Sequence, residues 1–168
     1  MFTSPSGRYN RRPDLSLIVP GLLVGEYPTP EDIEWLRCTH DITAVVSLQD
    51  DADIASKGLR VDQLVTAYKR HGVQFHRLPV TDCDIEMLAM RLDAIVALLD
   101  ELMSGGDRVY LHCNAGMNRA PTAAIAYLHR HHNLSLSAAR DLVKERRHCV
   151  PYMGVLEARY LAAGTRRA

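Results

Sequence analysis

Cys113 and Arg119 stand with five residues between them in the stretch Val109-Tyr110-Leu111-His112-Cys113-Asn114-Ala115-Gly116-Met117-Asn118-Arg119-Ala120-Pro121. A thiol is a nucleophile as its thiolate, and a guanidinium is a planar fork that binds phosphate oxygens through two parallel bonds. Five intervening residues let a loop curl until both ends face one tetrahedral anion. Asn114, Ala115, Gly116, Met117 and Asn118 would line it with backbone N–H groups. Gly116 is free to take a positive φ, and Asn118 is among the few other residues that tolerate one. A helix opening at about Arg119 to Pro121 adds its unpaired first-turn amides and the positive end of its dipole. Cysteines in such settings titrate at roughly 3.5–7.5 instead of about 8.5. The loop would therefore hold a phosphate and aim Cys113 at its phosphorus, with His112 just behind, keeping the loop's shape. The alternative is a buried structural cysteine near a surface arginine. Cys-x5-Arg arises by chance on its own, so the weight falls on the preceding apolar strand, His112, the small Ala115-Gly116 pair and the following helix.

The elements that must position this loop read as alternating strands and helices. Leu15–Val19 and Leu22–Gly25 are two strands joined by a Pro-Gly turn. Thr29-Pro30 opens a helix running to about Cys38, with Thr29 as cap and Pro30 at its first position. Ile42–Leu48 and Val73–Leu78 are strands, and Val61, Leu64, Val65 and Tyr68 fall at helical spacing between them. A long amphipathic helix follows from Ile85 and is stopped by Gly105-Gly106; Arg108–His112 is a strand. Ala120–His132, Ser137–Glu145 and Gly154–Ala163 are helical. This order predicts one α/β domain over residues 14–168, a central mostly parallel sheet flanked by helices, after a flexible arm at 1–13. In such sheets ligands bind beyond the carboxyl ends of the strands, which is where the Cys113 loop begins.

With 168 residues, 47% hydrophobic and 24% charged, the chain has the composition of an ordinary globular domain. Twenty Lys and Arg balance twenty Asp and Glu, so no overall field calls for nucleic acid or a membrane surface. No apolar run reaches the roughly 20 residues of a membrane span, and the first twelve residues do not read as a secretory signal. Cys38, Cys83, Cys113 and Cys149 are far apart, which suits a reducing, cytoplasmic setting better than a disulfide scaffold.

His112-Cys113-x5-Arg119 resembles the signature of cysteine-dependent protein tyrosine phosphatases, on their dual-specificity branch, and the resemblance runs from about Val19 to Ala163. Within that branch the chain is most similar to starch-excess-type glucan phosphatases. The matching stretches are Pro20–Gly25, Ser47–Asp53, Cys113-x-Ala115-Gly116-Met117-x-Arg119-Ala120-Pro121 and Lys144–Cys149. The resemblance implies a two-step hydrolysis of a phosphate monoester through a cysteinyl phosphate, with no metal and no cofactor. It also assigns the general acid to Asp82, on the loop 31 residues before Cys113; Asp84 is the fallback, though it also suits the cap of the helix at Ile85. The expected substrate is a phosphosugar, an inositol phosphate or a phosphoprotein. A silent phosphate-binding module and a rhodanese-like sulfurtransferase are the rival readings.

Several positions depart from that family. Ala120 replaces the usual Ser or Thr, as it does in glucan phosphatases, and Asn118 replaces a glycine. Cys83 and Val150 stand where glucan phosphatases carry sugar-stacking rings. Cys83, next to Asp82, is read either as a redox partner of Cys113 or as an ordinary half-buried cysteine. Arg146-Arg147-His148 is read either as a basic ring around the phosphate pocket or as an ordinary exposed helix end. His129 and His132 lack companions for a metal set and read as a solvated helix end.

Overall fold

The computed structural model describes residues 11–162 and is built on a five-stranded sheet. Its strands are β1 (Leu15–Val19), β2 (Leu22–Gly25), β3 (Ala44–Ser47), β4 (Gln74–Arg77) and β5 (Val109–His112), in spatial order β1-β2-β5-β3-β4. β1 is antiparallel to β2, and every other pairing is parallel. β5, late in the chain, lies in the middle, so that Gly25 and Ser47 pair with His112 from its two sides.

Side chains along the central strands alternate between two cores, as the strand period of two demands. Leu22, Val24, Ala44, Val46, Val109 and Leu111 face one core; Leu23, Val45 and Tyr110 face the other. The first core is closed by α4 (Ile85–Ser104), α5 (Arg119–His131), α6 (Leu136–Arg146) and α7 (Met153–Tyr160). The second is closed by α1 (Ile33–His40), α2 (Asp51–Ser56) and α3 (Val61–Arg70). Burial on both faces explains why the strands read as apolar runs and not as alternating ones.

The helix starts follow local chemistry. Thr29 and Asp32 form a capping box around the 3-10 turn Pro30–Asp32 that leads into α1. Asp84 Oδ1 accepts from Met87 N at 2.8 Å and so caps α4. α2 was not expected: its six residues, Asp-Ala-Asp-Ile-Ala-Ser, carry no apolar stripe, and a capping box between Asp50 and Asp53 makes it. Val65, expected on the inner face of α3, is 48% exposed, while Leu64 and Tyr68 fill that face. Of the expected N-terminal arm, residues 1–10 lie outside the described residues; Arg11 pairs with Glu26, and Arg12 with Asp32. Ala163, the expected end of the last helix, also lies outside them. Among the described residues, no helix is long and apolar enough to cross a membrane.

Candidate active site

The loop between β5 and α5 leaves the sheet at the carboxyl end of its central strand, and every carbonyl along it is held from outside. His112 Nδ1 donates to Cys113 O at 3.0 Å, and Tyr27 N to Asn114 O at 3.0 Å. Arg147 donates from Nη2 to Ala115 O at 3.0 Å and from Nε to Gly116 O at 2.7 Å. Val150 N reaches Met117 O at 2.8 Å, and Thr122 Oγ1 reaches Asn118 O at 2.7 Å. In a planar trans peptide the N–H points opposite to the C=O, and none of these bonds is cis. Carbonyls pinned outward therefore turn the following amides, those of Asn114 to Arg119, toward the loop's own centre. Amides turned inward in this way at a helix N-terminus are the arrangement that favours an anion.

Gly116 is the residue on which this curl depends. Its φ is +63°, and a Cβ there would lie 2.5 Å from Gly25 O and 2.7 Å from Arg147 Nη2. Gly25 is equally committed: a Cβ would meet Asp14 O at 2.4 Å and the Tyr110 hydroxyl at 2.5 Å. Asn118, expected to help the turn through a left-handed backbone, has φ −121° instead. Its contribution is a tether, Nδ2 donating to Val150 O at 2.7 Å.

Arg119 is 2% exposed, and its guanidinium is divided between two tasks. Nη1 donates to Asp53 Oδ2 at 2.6 Å and to Val80 O at 2.7 Å. Nη2 lies 3.5 Å from Asp82 Oδ1, while Nε is buried with no hydrogen-bond partner among the described residues. Burial opposes the charge on Arg119, but the hydrogen bond to Asp53 and the neighbouring Cys113, Asp53 and Asp82 outweigh it, so its pKa is raised. Cys113 itself is 3% exposed, at the start of the loop.

Asp82 is exposed on the loop between Val80 and α4, within ion-pair distance of Arg119. Cys83 follows it with φ +63°, an uncommon value for a residue with a side chain, and its N donates to Asp82 Oδ1 at 3.1 Å. Cys83 and Cys113 are both free thiols. Ala120 is fully buried and has no hydroxyl to offer. The nearby Thr122 hydroxyl is already engaged by Asn118 O and by Tyr152 N at 2.8 Å.

Three residues that matter here carried no such role in the sequence reading. Asp53 sits inside a run of acidic residues that looks like solvated surface, yet it is buried against Arg119. The available signal was its place in the Ser47–Asp53 stretch, one of those that resemble glucan phosphatases. Arg147 corrects an expectation: it is neither a basic ring around the pocket nor an exposed helix end, but a buried clamp behind the loop, bonded also to Ser16 Oγ and Asp14. Arg146 and His148 on either side of it are exposed. Tyr152 stands beside the acid loop; burial, then the adjacent Cys83 and Asp82, raise its phenol pKa against the pull of Arg119. Val150, by contrast, is 59% exposed. A separate cavity of about 510 Å³, lined by Pro30, Glu31, Glu34, Asp62 and His71 among others, includes none of the loop residues.

This combination of sheet order, loop and opposed acidic loop defines a class of protein. The model of the dual specificity phosphatase catalytic domain matches residues 25–157, and the chain belongs to that family. Among curated relatives, it is 30% identical over 146 residues to the amyloplastic phosphoglucan phosphatase DSP4 of Castanea sativa, covering 85% of this chain and 39% of that protein. It is 29% identical over 125 residues to laforin of Mus musculus, covering 68% and 38%. The chain thus spans well under half the length of these relatives. Among solved structures, PTPMT1 in complex with PI(5)P superposes with a TM-score of 0.74 at 22% identity, covering 92% of this chain and all of that one. Tk-PTP in its active form gives 0.72 at 23% identity, covering 86% and 95%. At such identities the structural likeness shows the fold.

Proposed function

We propose that this chain hydrolyses phosphate monoesters through a cysteinyl-phosphate intermediate without a metal ion. The observation that carries the reading is the outward anchoring of the carbonyls from Cys113 to Asn118, which leaves a ring of amides beside a buried thiol and beside Arg119 Nε, unpartnered among the described residues. Donors fixed in advance stabilise the charge that builds on the equatorial oxygens without reorganising during the reaction. In the first step the Cys113 thiolate attacks phosphorus. The S–P bond forms, the ester P–O bond breaks, and Asp82 gives its proton to the departing oxygen. In the second, water attacks the phosphocysteine and passes a proton to Asp82, releasing inorganic phosphate and the thiolate.

The carrier of the phosphate is a phosphorylated carbohydrate, an inositol phosphate or a phosphoprotein. Similarity to proteins named phosphoglucan phosphatases supports the first. Cys83 and the exposed Val150 in place of rings, with Tyr152 as the aromatic side chain beside the acid loop, argue for a short carrier over a long glucan chain. Four free cysteines and a thiol nucleophile suit a cytoplasmic setting.

Phosphate release from para-nitrophenyl phosphate, phosphopeptides, sugar phosphates, inositol phosphates and phosphorylated glucan tests the reading. Cys113→Ser is expected to abolish turnover on all of them, and EDTA to leave the unmodified protein unaffected. Turnover that survives the serine change overturns the mechanism. A wild-type protein that binds vanadate and hydrolyses nothing would be a phosphate-binding module.

A further inference from the structure

One buried carboxylate joins the two ends of the phosphate loop. Asp53 Oδ2 accepts from Arg119 Nη1 at 2.6 Å, and Oδ1 accepts from Asn114 Nδ2 at 2.7 Å. Asn114 immediately follows the nucleophile, and its own Oδ1 is fixed by Gln49 Nε2 at 2.7 Å. Asp53 is held in turn by its capping box, Asp53 N to Asp50 Oδ1 at 2.8 Å and Asp50 N to Asp53 Oδ2 at 3.2 Å. Side-chain exposure across the Asp53–Arg119 pair is 9% and 2%, so this is not a solvent-screened surface contact.

The geometry has a consequence for the guanidinium. With Nη1 committed to Asp53 and to Val80 O, the planar group cannot rotate about its own axis. The Nε–Nη2 edge, which forms the two-bond fork to an oxyanion, is then set in one orientation. Arg119 Nε, buried and unpartnered among the described residues, belongs to that edge.

We propose that Asp53 is a positioning residue for phosphoryl transfer, fixing the Nε–Nη2 edge of Arg119 and the span from Asn114 to Arg119 against an incoming phosphate. The inference rests on the hydrolase reading above. Asp53 touches no reacting atom in this scheme and acts through Arg119 and Asn114.

Two substitutions separate orientation from simple loss of structure. Asp53→Ala removes both acceptors. Asp53→Asn keeps the shape: its amide oxygen still accepts from Arg119, and its NH2 group is met by Asn114 Oδ1 once the Asn114 and Gln49 amides rotate. Each variant is measured for turnover of para-nitrophenyl phosphate, for tungstate binding by calorimetry, and for thermal unfolding. Asp53→Ala is expected to lose on the order of 10²-fold in kcat, the scale of losing an oriented oxyanion donor, and to bind tungstate at least about tenfold more weakly. Asp53→Asn is expected to fall by clearly less on both counts. The proposal is overturned if Asp53→Ala binds tungstate and turns over like the wild type. It is equally overturned if the two variants lose function alike and only in proportion to the fraction unfolded. An inactive wild type would sink the hydrolase reading instead, and the tungstate comparison would still decide the role of Asp53.

Discussion

Replacing Arg147 by Met separates a buried clamp from a surface cation. Methionine keeps the apolar stem and much of the volume but cannot donate. Gly116 O and Ala115 O lose donors at 2.7 and 3.0 Å, and the contacts to Ser16 and Asp14 go as well. An unsatisfied buried acceptor costs about 1–3 kcal/mol, and Ala115 O is partly open to water, so the loss should total roughly 2–4 kcal/mol. For a domain of this size each kcal/mol shifts Tm by about 2–4 °C, which puts the expected fall at roughly 5–15 °C. Because the lost bonds hold the loop carbonyls outward, kcat and vanadate inhibition should drop in the remaining folded protein. The effect should be insensitive to salt between about 0.1 M and 1 M, conditions that change the Debye length from about 10 to about 3 Å. Differential scanning calorimetry and steady-state kinetics on an aryl phosphate provide the readout. An unchanged Tm and kcat, with a KM that rises and depends on salt, would show Arg147 acting as an electrostatic attractor and refute the clamp.

Asp82→Asn should reduce kcat by about 10²–10⁴-fold on alkyl phosphates, whose leaving oxygen needs a proton, and by much less on para-nitrophenyl phosphate. An equal loss on both substrates would remove Asp82 from the role of acid. Mild hydrogen peroxide should oxidise the Cys113 thiolate to a sulfenic acid, releasing hydroxide; the Cys83 thiol then displaces water to give a Cys83–Cys113 disulfide, which a dithiol reduces. Mass spectrometry after peroxide should find that crosslink and its reversal, and Cys113 passing directly to sulfinic acid would leave Cys83 as a loop residue only.

Much of the architecture was legible because it rests on short-range rules. The runs at β3 and β5 are apolar up to their last residues, Ser47 and His112, as strands buried on both faces tend to be, and α4 is marked by its capping Asp84 and by Leu88, Leu92, Ile95 and Leu99 along one side. α2 escaped because its six residues bury little beyond Ile54 and Asp53. The Cys113-x5-Arg119 spacing, the glycine at 116 and the acidic loop before α4 were all visible as residue types at fixed separations.

Residue types and their spacing named the groups able to do chemistry: a thiol, a guanidinium and a carboxylate attached to a strand–loop–helix unit and a neighbouring loop. What holds those groups was settled by packing between distant parts of the chain. Asp53 and Arg147 lie 66 and 31 residues from their partners Arg119 and Gly116, and nothing in local composition distinguishes them from solvated charges. Insertion of β5 between β2 and β3 buries them, bringing α2 to one side of the loop and the β1–β2 hairpin with the end of α6 to the other. Chain spacing sets local geometry. Whether a distant charge ends in water or against a buried partner depends on how the sheet is ordered, because burial is a property of the whole packing.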